Sequence, residues 1–290
     1  MHRRLPRLVS CALAACVPAI GLAVAYAPAA GAAAAPAHPS HEAQALAIAR
    51  QALRRLDVGR HATDHRVSGH ATRVKGLNQV SSTNWSGYAD DNSKGNTYST
   101  VTGKWSEPSV TCTSTTSLAA FWVGIDGYSS SSVEQDGTLA ECYLGTAYYF
   151  SWWEMYPTNA VQVVGQSVAP GDKISASVVK SGSNYALKVT DSTHTANSFS
   201  TTQSCSGCAD SSAEWIAEAP SGSAGVYPLP NFHTWTESSA TVKSGSTTGV
   251  ISTFPDDAIT MINSSGATKA SVGGLNSSGN GFTVTWKRSS

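Results

Sequence analysis

The strongest constraint on this chain is how often its apolar runs are interrupted. From Asn84 onward, short runs rich in Val, Ile, Thr, Trp and Tyr alternate with clusters of Gly, Ser, Asn and Asp. The runs at 97–105, 121–125, 147–156, 173–179, 185–190, 213–218, 240–243, 258–262 and 281–286 have strand lengths and little helical periodicity. Turn signals separate them, among them Asp126-Gly127, Pro170-Gly171-Asp172, Ser181-Gly182-Ser183, Ser264-Ser265-Gly266 and Gly279-Asn280-Gly281. Many short strands at this spacing predict a sandwich or barrel. The expected fold is all-β, an antiparallel β-sandwich of two large sheets of concanavalin-like or jelly-roll type over residues 81–290.

The first 80 residues are built differently. The chain is neutral overall, with 19 Lys/Arg and 19 Asp/Glu. Ten of the bases but only three of the acids lie before residue 81, a balance of +7 against −7 for the remainder. Overall neutrality argues against a nucleic-acid partner or a polybasic membrane-surface protein. Arg3, Arg4 and Arg7 precede an apolar Ala-rich stretch and a small-residue tract, the order of a secretory signal peptide, here residues 1–35. The protein is therefore expected to be secreted and extracellular, with no membrane span retained. Within 36–80, residues 40–56 predict one helix, capped by Ser40, with Leu46, Ala49, Leu53 and Leu56 as its apolar stripe. This basic stretch cannot bury a core alone and reads as a pro-segment facing an acidic domain.

Two of the six Cys fall in the signal peptide. An even number in an exported protein points to disulfides rather than a metal. Cys205 and Cys208, separated by Ser206-Gly207, are close enough to pair, which leaves Cys112 with Cys142. A zinc site would want a second C-x-x-C pair. No metal and no cofactor are expected.

Several chemistries lack their residues. After residue 80 only His194 and His233 remain, and there is no G-x-S-x-G elbow and no H-E-x-x-H. Carboxylates and amides among aromatics remain. Strand alternation puts Trp122, Gly124 and Asp126 on one face, Phe150, Trp152, Glu154 and Tyr156 on another, and Glu214 with Glu218 opposite Trp215. Such faces suit a groove for an extended polymer.

Five ordered blocks resemble the glutamic peptidases (eqolisins). They are Asn84-Trp85-Ser86-Gly87-Tyr88; Trp105 with Pro108; Phe121 to Gly127 followed by Gln135 and Gly137; Trp152 to Pro157; and Ser212 to Glu218. The resemblance covers residues 84–290. It implies a sandwich endopeptidase acting in acid on protein or peptide substrates, with Gln135 and Glu218 as the catalytic pair. Trp85, Trp122, Asp126, Trp152, Glu154 and Tyr156 would support the substrate groove. Phe150 stands where fungal members have Asp, and Ala219-Pro220 where Asp-Phe is common. Glu134 should point to the face opposite Gln135.

In this reading the carboxyl of Glu218 activates a water while Gln135 holds the water and the oxyanion. The enzyme is expected to be a monomer, with its own pro-segment as inhibitor. Two alternatives are a secreted carbohydrate-binding module and a glycoside hydrolase. Glu214 and Glu218, about 13 Å apart along one strand, make an awkward pair for the latter, whose carboxyls sit about 5–9.5 Å apart.

Overall fold

The computed structural model describes Ala47 and residues 72–74, 77–164, 168–222 and 225–290. The expected signal peptide and most of the basic segment lie outside these residues; Ala47 is helical. In chain order the strands are β1 (Thr72–Val74), β2 (Leu77–Ser82), β3 (Trp85–Asp90), β4 (Tyr98–Ser106) and β5 (Ser117–Ile125). There follow β6 (Val133–Tyr143), β7 (Thr146–Tyr156), β8 (Asn159–Val164), β9 (Lys173–Ser181) and β10 (Asn184–Asp191). Next come β11 (Phe199–Ser204), β12 (Ala213–Glu218), β13 (Ser221–Gly222), β14 (Gly225–Val226) and β15 (Thr234–Ser244). The chain closes with β16 (Thr247–Gly249), β17 (Asp256–Ile262), β18 (Thr268–Val272) and β19 (Phe282–Trp286).

The fold is the expected all-β sandwich. One sheet runs β8-β7-β6-β5-β12-β3-β17, with β2 parallel to β17 on its other edge and β1 beyond. The other runs β11-β10-β9-β4-β15-β16. β15 belongs to both: Thr234 to Glu237 pair with β19, and the part from Ser238 onward pairs with β4. A bulge between Ser238 and Thr241, where Ser239 has φ 55, turns the strand from one sheet into the other.

Alternation along the strands sorts the core. Phe121, Val123 and Ile125 point between the sheets, into a cluster with Val101, Val178, Leu187, Trp215 and Trp235. Leu118, Ala120 and Trp122 point to the other face, where Trp85, Phe150, Trp152 and Ile216 join them. Each large side chain withdrawn from water in this way contributes about 1.5–3 kcal/mol. Gly137 lets β5 and β6 approach at this second face, since a Cβ there would lie 2.1 Å from the Phe121 carbonyl oxygen.

Both expected disulfides form, Cys112–Cys142 and Cys205–Cys208. Closing the 30-residue loop of the first adds about 3–4 kcal/mol in the chain-entropy account. β6 lies at the centre of its sheet although Glu134, Gln135, Asp136, Gly137 and Glu141 suit strands poorly by themselves. The boundary at residue 80 falls inside β2, whose Gln79 to Ser82 pair with Ala258 to Met261.

Candidate active site

Four neighbouring strands build the site, and their register decides which side chains meet. Directly opposed residues in antiparallel strands share a face. Across the sheet the register aligns Glu214 on β12, Gly124 on β5, Gln135 on β6 and Glu154 on β7. Gly124 has no side chain, so Gln135 and Glu214 face one another across it with Cα atoms about 10 Å apart, two strand spacings. There is no room for more at Gly124: a Cβ would come within 2.8 Å of Trp122 Cζ3 and 3.3 Å of Gln135 Cβ. The Trp122 indole edge lies over Gly124, between the carboxamide and the carboxyl.

Gln135 is fixed by its other neighbour, donating from Nε2 to Glu154 Oε2 at 2.8 Å. That bond leaves the second N–H of Nε2 and the Oε1 acceptor for the gap. Gln135, Glu154 and Glu214 are all fully buried. Burial pushes the Glu214 carboxyl well above the usual range, and the Asp126 and Asp90 carboxylates add to this. The Ser212 hydroxyl and the Tyr128 amide oppose the shift.

The structure does not bring Glu218, the carboxylate expected opposite Gln135, into this row. Glu218 aligns with Trp85, Ala120, Leu139 and Phe150, four residues further along β12. That offset from Glu214 is about 13 Å along the strand. The Trp122 indole lies between them, donating from Nε1 to Glu218 Oε2 at 2.9 Å while its Cζ3 edge lies by Gly124. Asn84 Nδ2 donates to Glu218 Oε1 at 3.4 Å. Burial raises Glu218 to about 7, opposed by hydrogen bonds from Trp122, Trp85 and Asn84.

The other expected groove residues divide. Trp85, Trp122 and Trp152 form a buried apolar floor, with Trp85 and Trp122 edge to face at 4.9 Å. Tyr156 is half-buried at the end of β7, before the cis Tyr156-Pro157 bond. Asp126 is an anchor rather than a groove wall. Its carboxylate accepts the backbone N–H groups of Ala209, Asp210 and Ser211 at 2.8, 2.8 and 2.7 Å. It also accepts the hydroxyls of Ser211 at 2.9 Å and Ser132 at 3.3 Å. Its own N–H donates to the Ser212 carbonyl at 3.0 Å, so Asp126 fixes the loop that enters β12 one turn of pleat before Glu214. Glu134 points to the opposite face from Gln135, as expected, with its register partners Ile125 and Met155 in the inter-sheet core. Neither group of possible metal ligands among the described residues includes a member of the Glu214–Glu154 row.

A two-sheet β-sandwich with a carboxamide and a buried carboxyl aligned on one face defines the class as a peptidase of glutamic type. Residues 83–286 match the family model described as "Peptidase A4 family", and the chain belongs to that family. The solved structure of scytalido-glutamic peptidase with a transition state analog inhibitor superposes with a TM-score of 0.59 at 21% identity, covering 71% of this chain and 98% of that one. SCP-B, a member of the eqolisin family in complex with the tripeptide Ala-Ile-His, gives 0.58 at 21% identity with the same coverage. No curated protein sequence matches the chain. The protein is a glutamic endopeptidase acting on protein or peptide substrates, which sets aside the carbohydrate readings.

Proposed function

We propose that Gln135 and Glu214 are the catalytic pair of a secreted, monomeric endopeptidase that works in acid. The supporting observation is their shared row across Gly124. A carboxyl held protonated is bifunctional. Its O–H donates to the scissile carbonyl oxygen while its other oxygen accepts a proton from the attacking water, so Glu214 ends the step still protonated. Gln135 Oε1 orients that water, and the N–H not given to Glu154 donates to the carbonyl oxygen. In the second step Glu214 protonates the departing amine and recovers a proton from the tetrahedral centre. Working in the protonated state suits an enzyme of acid media. The test is hydrolysis of denatured casein at about pH 3–4: Gln135→Ala should lose roughly 10²–10³ in turnover, the usual cost of one oxyanion donor. Turnover close to wild type would exclude the pair.

Residues 1–35 serve in this reading as the export signal, and the basic segment after them as an inhibitor released by acid. Because β1 and β2 belong to the sheet, the removable part ends upstream of Thr72. Near neutral pH its Arg residues are attracted to ionised carboxylates of the domain, and the attraction fades as those carboxylates take up protons toward pH 4. A synthetic 36–71 peptide should therefore inhibit the mature enzyme near neutrality and progressively less toward pH 4. Absent inhibition, or inhibition that strengthens below pH 4, would refute this role.

A further inference from the structure

The Cys205–Cys208 disulfide has a neighbour that a mere staple does not need. One carboxyl oxygen of Glu134 and the two Sγ atoms lie within 4.8 Å of one another. Glu134 is fully buried, whereas both cysteines are half-exposed. Burial, followed by the Asp126 carboxylate, pushes Glu134 up to about 10, so this carboxyl keeps its proton across the working range of the protein. Cys205 lines a cavity of about 580 Å³ together with Ser131, Ser132, Thr158, Ser183, Ser204 and Ser206 among others. Its hydroxyl-rich wall suits a peptide-like thiol and offers little to an apolar one. The other disulfide differs in surroundings: Cys142 is fully buried on β6, and no group of clustered ligand-type side chains among the described residues includes it.

We propose that Cys205, Cys208 and Glu134 form a thiol–disulfide exchange site for a small hydrophilic peptide thiol, apart from the peptidase row. A thiolate sulfur from the cavity attacks one cysteine sulfur, forming a mixed disulfide as the Cys205–Cys208 bond breaks. The electron pair goes to the departing cysteine sulfur, which takes its proton from the Glu134 carboxyl. A second thiol molecule gives its proton back to Glu134 and its sulfur attacks the mixed disulfide; the second cysteine sulfur leaves with the electron pair and takes from solvent the proton that the first thiol released there on becoming a thiolate. The protein is left as the dithiol and the two small thiols as their disulfide: one disulfide reduced, two thiols oxidised, protons balanced. Glu134 acts on the leaving sulfur, whose charge the attacking thiolate cannot neutralise.

The experiment follows both disulfides in the full chain exposed to reduced glutathione, by timed alkylation and peptide mass spectrometry. Cys205–Cys208 should open at least about tenfold faster than Cys112–Cys142. Glu134→Gln keeps the volume and removes the proton; it should slow opening of Cys205–Cys208 by about 10², the lower end of general-acid effects, and leave the other disulfide unchanged. Casein hydrolysis serves as the folding control for that variant. Equal rates at the two disulfides in wild type would overturn the proposal, and so would an unchanged rate in a folded Glu134→Gln. If that variant does not fold, the comparison of the two disulfides within wild type decides alone.

Discussion

Glu214→Gln should abolish peptide hydrolysis, with turnover down by about 10⁴, while Glu218→Gln should keep measurable turnover. The first substitution preserves size and hydrogen bonding but leaves a group that can neither give nor take a proton, and general acid–base roles supply 10²–10⁴ in rate. The second removes a carboxylate that sits behind the Trp122 indole, about 13 Å along the strand from Glu214. Its expected cost is structural, through the Nε1–H of Trp122 and the amide of Asn84, which lose a charged acceptor. Casein assays at pH 3–4 with circular dichroism on both variants separate the two. The reverse order of effects would return the catalytic role to Glu218 and refute the row.

The second large effect is on stability, and it runs against the usual acid denaturation. Burial raises Glu107 to about 8 and Glu134 to about 10, and pushes Asp90, Asp136 and Glu237 well above the ordinary range. For each, the folded protein holds a proton that the unfolded chain releases above its ordinary carboxyl pKa near 4. The stabilisation is complete below that value and is lost as pH rises toward the folded pKa. Between pH 4 and 7 Glu107 and Glu134 alone forfeit about 3 kcal/mol each, at 1.36 kcal/mol per pKa unit. For a domain of this size that lowers Tm on the order of 10–20 °C. Thermal unfolding of the inactive Glu214→Gln protein, which cannot digest itself, measures this directly. A Tm that stays level or rises from pH 4 to 7 would contradict it.

Much of this was legible in the sequence, and the misses share one cause. Period-two alternation and turn residues located most strands: 213–218 was read as it stands, and 97–105 differs from Tyr98–Ser106 by one residue at each end. Cysteine spacing gave both disulfides. β6 shows the limit of propensity, which describes a strand's own residues, whereas this one is held by β5 and β7 on either side. The same limit bears on the choice of glutamate. Alternation shows that Glu214 and Glu218 share a face, but only the pairing of β12 with β5 and β6 says which of them stands level with Gln135. Asp126, within the same motif, is a hub for loop amides. The clue was its position at a turn, directly before Gly127, where side chains often bond to backbone.

Because β15 turns out of one sheet and into the other, the sandwich has a seam closed along one corner, like a book held at its spine. The two covers cannot slide past each other without tearing the ladder to β4 or the one to β19. Admission of a substrate to a row with no solvent exposure therefore cannot come from breathing of the sheets. It falls to the short stretches that overhang the floor, above all the segment between β5 and β6. Tyr128 lies in that segment, its amide reaching Glu214 and its hydroxyl bonded to Asp257 at 2.6 Å. Through Tyr128 this one segment is joined both to Glu214 and to Asp257.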